Sequence, residues 1–409
     1  MHRIALIALT ALCACTNANE PGRAPKLLTA LPRELTADEQ RISTAANAFS
    51  LRLFRGLNAA QPDSNVFVSP LSVSMSLGMA MNGATGSTLE QMSAVLGFGA
   101  ASLDEINRGY AGLMALERGL DPSTTFSIAN SAWIRQGFPV KQPFIDEVRA
   151  TFAAEVAHAP FDATTIRAVN DWVSAQTNGR IPTILEEIDG SDVMFLVNAI
   201  YFKGSWRDQF DPSKTSTETF RARGGDQQVP MMRRDDEQGT GRFTFVDNAA
   251  VGELPYGNGA FVMTVVMPPQ GTDIAAYAAS LDAGQWARII DALPDQLREL
   301  NVRLPRFTME YERELKDDLQ ALGMTDAFSR SAARFRRMTD EQVFIAFVKH
   351  KSFVLVNEEG TEAAAVTNTG IRVVSGPPCL CVDRPFLFAI RERLSGTILF
   401  MGKIVRVPT

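Results

Sequence analysis

Residues Asn357–Pro378 carry two conflicting local instructions, and any fold for this chain has to satisfy both. Gly360, Gly370, Gly376 and the Pro377-Pro378 pair mark the stretch as an exposed loop. Read as a strand, its side chains alternate between faces. One face carries Thr361, Ala363, Ala365, Thr367, Thr369 and Ile371, all uncharged and mostly small. The other carries Glu362, Ala364, Val366, Asn368, Gly370 and Arg372, a more polar set. A small-residue face suits a strand that slides between existing strands without steric conflict. The stretch therefore reads as a loop that could become a strand. On pattern alone, a solvated loop of small residues is the simpler alternative.

The rest of the chain is able to supply a sheet for such a strand. It has 409 residues, of which 45% are hydrophobic and 21% charged, as in ordinary globular proteins. That length allows one large domain or two of average size, and no compositional break follows Ala37. The net charge of −6 gives no reason to expect nucleic-acid or anionic-membrane binding.

The N-terminus reads differently. Residues 1–15 resemble an export signal, with His2 and Arg3 before the short apolar run Ile4–Leu12. Leu12-Cys13-Ala14-Cys15 resembles a bacterial lipobox, with Cys15 as the lipid-bearing residue. Cleavage by an ordinary signal peptidase is the alternative. The expected location is thus an outer-membrane or cell-surface lipoprotein, or a secreted, extracellular protein. Residues 16–36, with Pro21, Pro25 and Pro32, read as a flexible tether. Only Cys379 and Cys381 then remain in the mature chain. Two apart in a strand, they share a face, and bridging them is expected to strain the bond geometry. They read as two buried free thiols.

Several segments have recognisable local structure. Thr36-Ala37-Asp38-Glu39 is a capping box, followed by Ile42, Ala45, Ala46, Phe49, Leu53 and Phe54 at helical spacing. Asn65–Ser72 reads as a short strand turning into a helix through Met75, Leu77, Met79 and Ala80. The near-continuous apolar run Met194–Trp206 suits a strand buried on both faces. Asn198, a polar residue in that run, needs a hydrogen-bond partner.

The sequence Glu358-Glu359-Gly360-Thr361-Glu362-Ala363, followed by small residues, resembles the hinge of the reactive-centre loop of the serpins. Other segments resemble that family in order from Ala37 to Pro408, among them Asn65–Ser72, Met194–Trp206, Val348–Phe353 and Arg384–Ile390. The resemblance implies an α+β serpin fold spanning residues 37–409 as a single domain. That fold has three β-sheets, eight or nine helices and a metastable state with an exposed loop at about 358–378. The hinge would comprise Glu358, Glu359, Gly360, Thr361, Glu362, Ala363, Ala364 and Ala365. Ser69 and Ser72 would lie beneath the main sheet and help it part, although serines there can be simple helix caps. Asn198 would find its partner in His350. Trp206 would sit under the top of the sheet, with Arg306 beside Glu358. Thirteen residues on from Thr361, the reactive bond would be Val374–Ser375.

The implied function is a suicide-substrate inhibitor of elastase-like or subtilisin-like serine proteases. A non-inhibitory carrier or folding helper on the same fold is the alternative. Thr361–Thr367 has no proline and no large side chain beyond Glu362, which favours inhibition. The implied partner is a target serine protease held as a covalent acyl complex by a monomeric inhibitor. Membrane contact would come only through a lipid anchor. The Leu103–Leu120 segment has no basic stripe, so no heparin-type cofactor is expected. No metal-ligand spacing or phosphate loop is present. With His158 and His350 as the mature chain's histidines and no nucleophile motif beside them, enzymatic activity is not expected.

Overall fold

The computed structural model describes residues 25–235, 239–361 and 377–408. Nine α-helices and four hydrogen-bonded sheets are present among these residues. Helix α1 (Ala37–Ala60) opens on the expected capping box: Glu39 N–H donates to Thr36 Oγ1, and Thr36 N–H donates to Glu39 Oε2. Helix α2 (Pro70–Gly83) is buried along its length except at Ser76. With no charged residue on any side, it has no strongly solvated face to offer and belongs inside.

A seven-stranded sheet forms one side of the core. Its central strands Ala249–Pro255, Phe261–Met267, Phe386–Glu392 and Ile398–Ile404 are buried at every position. A four-stranded sheet runs in the order Cys379–Cys381, Asn301–Pro305, Gln227–Arg234, Ser216–Phe220.

The remaining six strands form the main sheet, and it is divided. One part holds β1 (Thr124–Arg135), β2 (Glu155–Ala159), β3 (Met194–Ser205) and β6 (Gly360–Thr361), in the order β6-β3-β1-β2. The other part pairs β4 (Phe307–Glu314) with β5 (Lys349–Val356). The three sheets expected from the sequence therefore count as four, because β3 and β5 are not hydrogen-bonded to each other. Residues 357–359 link β5 to β6, so β3 and β5 flank one gap.

Strand β3 also departs from its expected burial on both faces. Met194, Leu196, Val197 and Asn198 are only partly buried, because one edge of this half borders the gap instead of another strand. Strand β5 alternates cleanly, with His350, Ser352, Val354 and Val356 inward.

The Cys379–Cys381 pair overturns the reading as free thiols. The two sulfurs are bonded, across a Cα–Cα separation of 5.3 Å. A fully extended i, i+2 pair would stand about 6.6 Å apart. Contraction of this short edge strand, paired on one side only, brings the cysteines well inside the usual disulfide span.

Candidate functional site

The gap between β3 and β5 is a cavity of 470 Å³. Its β3 wall includes Asn198, its β5 wall His350, and its floor Ser72, Ser76 and Ala80 of α2. Helix Ala163–Gln176 lies across the outer side, where Val169 and Val173 reach the cavity. Ser69, Ser72 and Ser76 fall at i, i+3 and i+7, one face of a helix. This small, hydroxyl-bearing face leaves room beneath the seam that leucines would fill.

Ser69 is the N-cap of α2: its Oγ accepts from Ser72 N–H at 3.3 Å and donates to the Leu399 carbonyl at 2.8 Å. Its own N–H donates to His350 Nε2 at 3.1 Å. His350 is buried, and burial lowers its pKa to about 4. It is therefore neutral at pH 7 and ties β5 to the start of α2. The expected Asn198–His350 pair is not formed. Asn198 Nδ2 donates instead to Asn130 Oδ1 at 2.8 Å, from the position directly opposite on β1. Asn198 Oδ1 has no hydrogen-bond partner among the described residues. The parted sheet places β5 across the cavity from β3, so the neighbouring strand satisfies Asn198.

At the top of the gap the chain leaving β5 turns straight back. Gly360 pairs with Ser205 and Thr361 with Gly204, antiparallel to β3. Trp206 N–H donates to the Glu359 carbonyl at 2.9 Å, and Phe210 N–H to the Glu358 carbonyl at 2.8 Å. The Trp206 indole N–H reaches the Asn357 carbonyl at 2.9 Å, while the ring stacks on Tyr256 at 4.5 Å. The first residues of the expected exposed loop are thus docked. Gly360 has φ +144°, and a Cβ there would collide with the Gly204 carbonyl and the Ser205 backbone. Glycine at 360 is what lets the turn close onto β3.

Glu358 is buried at this turn. Its Oε1 accepts from Thr215 Oγ1 at 2.7 Å and meets Arg306 Nη1 at 3.4 Å. Arg306 touches only one carboxylate oxygen and is half-exposed, so the ion pair itself contributes about 0–1 kcal/mol. Thr215 is the closer partner, and nothing in the local sequence pointed to it. Asn130 likewise carries no local signal, since its partner Asn198 lies on a distant segment.

The hinge residues Glu362, Ala363, Ala364 and Ala365, the Val374–Ser375 bond and Cys15 lie outside the described residues. Among the described residues no cluster of His, Cys, Asp or Glu could hold a metal ion, and no helix is long and apolar enough to cross a membrane.

A parted sheet with a returning strand at its mouth narrows the relatives to seek. The serpin (serine protease inhibitor) family profile matches residues 44–407. The chain belongs to the serpins. Neuroserpin of Gallus gallus is 34% identical over 373 residues, covering 87% of this chain and 89% of the relative. Leukocyte elastase inhibitor of Sus scrofa is 33% identical, covering 89% and 99%. Among solved structures, the thermophilic serpin tengpin in its native state superposes with a TM-score of 0.81 at 28% identity, covering 94% of this chain and all of that one. The α+β architecture is the serpin fold.

Proposed function

We propose that this serpin is a suicide-substrate inhibitor of serine proteases, with residues 358–378 as bait. A target protease attacks the Val374 carbonyl and forms an acyl-enzyme. The freed loop then enters the gap between β3 and β5, carrying the tethered protease with it and distorting its oxyanion hole and triad. The observation that carries this reading is the open seam with Gly360–Thr361 already paired to β3. A strand continuing from Thr361 would run between β3 and β5, whose facing edges have no further strand beside them among the described residues. A dozen new strand hydrogen bonds, at about 1 kcal/mol each, supply on the order of 10 kcal/mol. The small, proline-free hinge argues against the carrier alternative. Incubation with a panel of serine proteases tests the proposal: a complex that survives SDS is expected, and cleavage of the loop without any such complex would overturn it.

Val374 offers a small branched apolar side chain that suits elastase-like pockets and some subtilisins, in keeping with the elastase inhibitor among the relatives. Arg372 is a rival site for trypsin-like enzymes. Cleavage there shortens the loop and favours turnover over trapping. Mass spectrometry of the peptide released from the trapped complex should find it starting at Ser375. A main inhibitory product starting at Val373 would move the reactive bond.

Glu358, held by Thr215 and Arg306, is proposed to latch the turn at the mouth of the seam. Glu358→Lys removes the acceptor and sets two cations together. Its expected result is faster loop insertion or polymer formation on mild heating, with the fold intact; polymerisation at the wild-type rate would remove this latch. Export as a monomer, with Cys15 lipidated or an ordinary cleavage, completes the proposal, and the mass of the mature N-terminus distinguishes the two routes.

A further inference from the structure

The Cys379–Cys381 disulfide closes a ring of only three residues, the size at which a bridge contributes least to holding a fold together. Its position is more informative than its stabilising effect. The two cysteines flank Leu380 in the strand that follows the reactive loop. That strand is the edge of its sheet, paired on one side only, parallel to Asn301–Arg303. Asn301 N–H donates to the Pro378 carbonyl at 3.0 Å, and Val382 N–H to the Arg303 carbonyl at 2.8 Å. Leu380 is buried and packs over Gly252, where a Cβ would strike it. Both cysteines are partly exposed. The strand is therefore the C-terminal anchor of the loop, with a partly exposed cysteine on either side of Leu380.

Chain length makes this anchor decisive for an uncleaved loop. From the level of Gly204 to that of Met194 the seam is ten strand steps, about 33 Å. Residues 362–378 number seventeen. If ten of them fill the seam, the remaining seven reach about 25 Å, short of the roughly 33 Å back to the level of Gly204. Full insertion without cleavage requires the Cys379–Cys381 strand to leave its sheet.

We infer that Cys379–Cys381 is a thiol–disulfide exchange site for a dithiol reductant, and that its redox state sets how readily the anchor releases an intact loop. This rests on the loop-insertion reading above. One thiolate of the dithiol attacks a sulfur of the bridge to form a mixed disulfide, and its second thiol resolves that bond. The protein gains two electrons and two protons as two cysteine thiols, and the reductant leaves as its own disulfide. While docked, the strand is ordered in either state. Once released, the reduced segment has the freedom that the ring denied it, so reduction favours release.

Three preparations of the full chain test the inference: oxidised, reduced with dithiothreitol without denaturant, and the Cys379→Ser/Cys381→Ser double variant. Maleimide labelling with peptide mapping should find both thiols in the folded reduced protein. Conversion on mild heating to an inserted form, read by its resistance to urea, should be about tenfold faster for the reduced protein than for the oxidised one, the size that closing a three-residue loop carries. The double variant should convert quickly with or without dithiothreitol, and reoxidation of the wild type should restore the slow rate. Labelling that requires unfolding, or equal conversion rates in the two redox states, would overturn the inference. If the double variant does not fold, reduction and reoxidation of the wild type carry the test. The absence of an SDS-stable protease complex from the oxidised protein would count against the proposed inhibition, and the thiol map and conversion rates would still judge this site.

Discussion

Thr361→Arg is expected to turn the inhibitor into a substrate, giving cleaved protein in place of a trapped complex. Thr361 is the last described residue of β6, opposite Gly204, and every later residue must follow it into the seam. By strand alternation it belongs to the small-residue face with Ala363 and Ala365. An arginine there would have to enter over the buried helix α2 at the first step. No acidic side chain of β3 or β5 lies in the facing strands to receive it. Burying an unpaired charge costs several kcal/mol, and each 1.4 kcal/mol on the barrier slows insertion about tenfold. Deacylation, which the substitution does not touch, then wins. Glu362→Arg is the control, because alternation places residue 362 on the polar face, where a long charged side chain is tolerated. The measurement is the ratio of SDS-stable complex to cleaved inhibitor at equal protease. If Thr361→Arg traps protease as well as wild type, the small-residue face has no part in insertion.

The elements that were legible in the sequence are those whose causes are local. The capping box at Thr36 and Glu39 needs only residues three apart, and the apolar run Met194–Trp206 declares a strand by itself, though not the partly open face that Met194, Leu196, Val197 and Asn198 show. Gly360 was legible as a turn residue, and the structure adds why nothing larger fits: the Gly204 carbonyl lies where a side chain would begin. The failures are instructive in the same terms. The spacing of a fully extended strand predicts free thiols at Cys379 and Cys381, whereas an edge strand paired on one side can contract. The resemblance pairs Asn198 with His350, whereas its partner Asn130 stands directly across the β1–β3 ladder. That choice depended on the lateral distance between strands at an open seam, which no local pattern encodes. Thr215, brought to Glu358 from another sheet, illustrates the same gap.

Acid is expected to loosen the seam through His350. Its imidazole is buried among β5 and the start of α2, and desolvation of the charged form lowers its pKa to about 4. In the unfolded chain the ordinary value is about 6.5. Below pH 6.5 the unfolded state therefore binds the proton first, and stability falls as the pH drops from 6.5 towards 4. At 1.36 kcal/mol per pKa unit the full loss is roughly 3 kcal/mol. The structural consequence is specific: protonation converts Nε2 from the acceptor of Ser69 N–H into a second donor facing it. The tie between β5 and the first turn of α2 is then lost at the floor of the cavity. Urea midpoints followed by tryptophan fluorescence between pH 7.5 and 4.5 would measure the effect. Carboxylates elsewhere contribute a slope shared with a His350→Gln variant, so the difference between the two proteins isolates the imidazole. That difference should shrink steadily from pH 6.5 to pH 4, with wild type the more stable at neutral pH. Parallel curves over the whole range would mean that His350 does not govern the acid response of the seam.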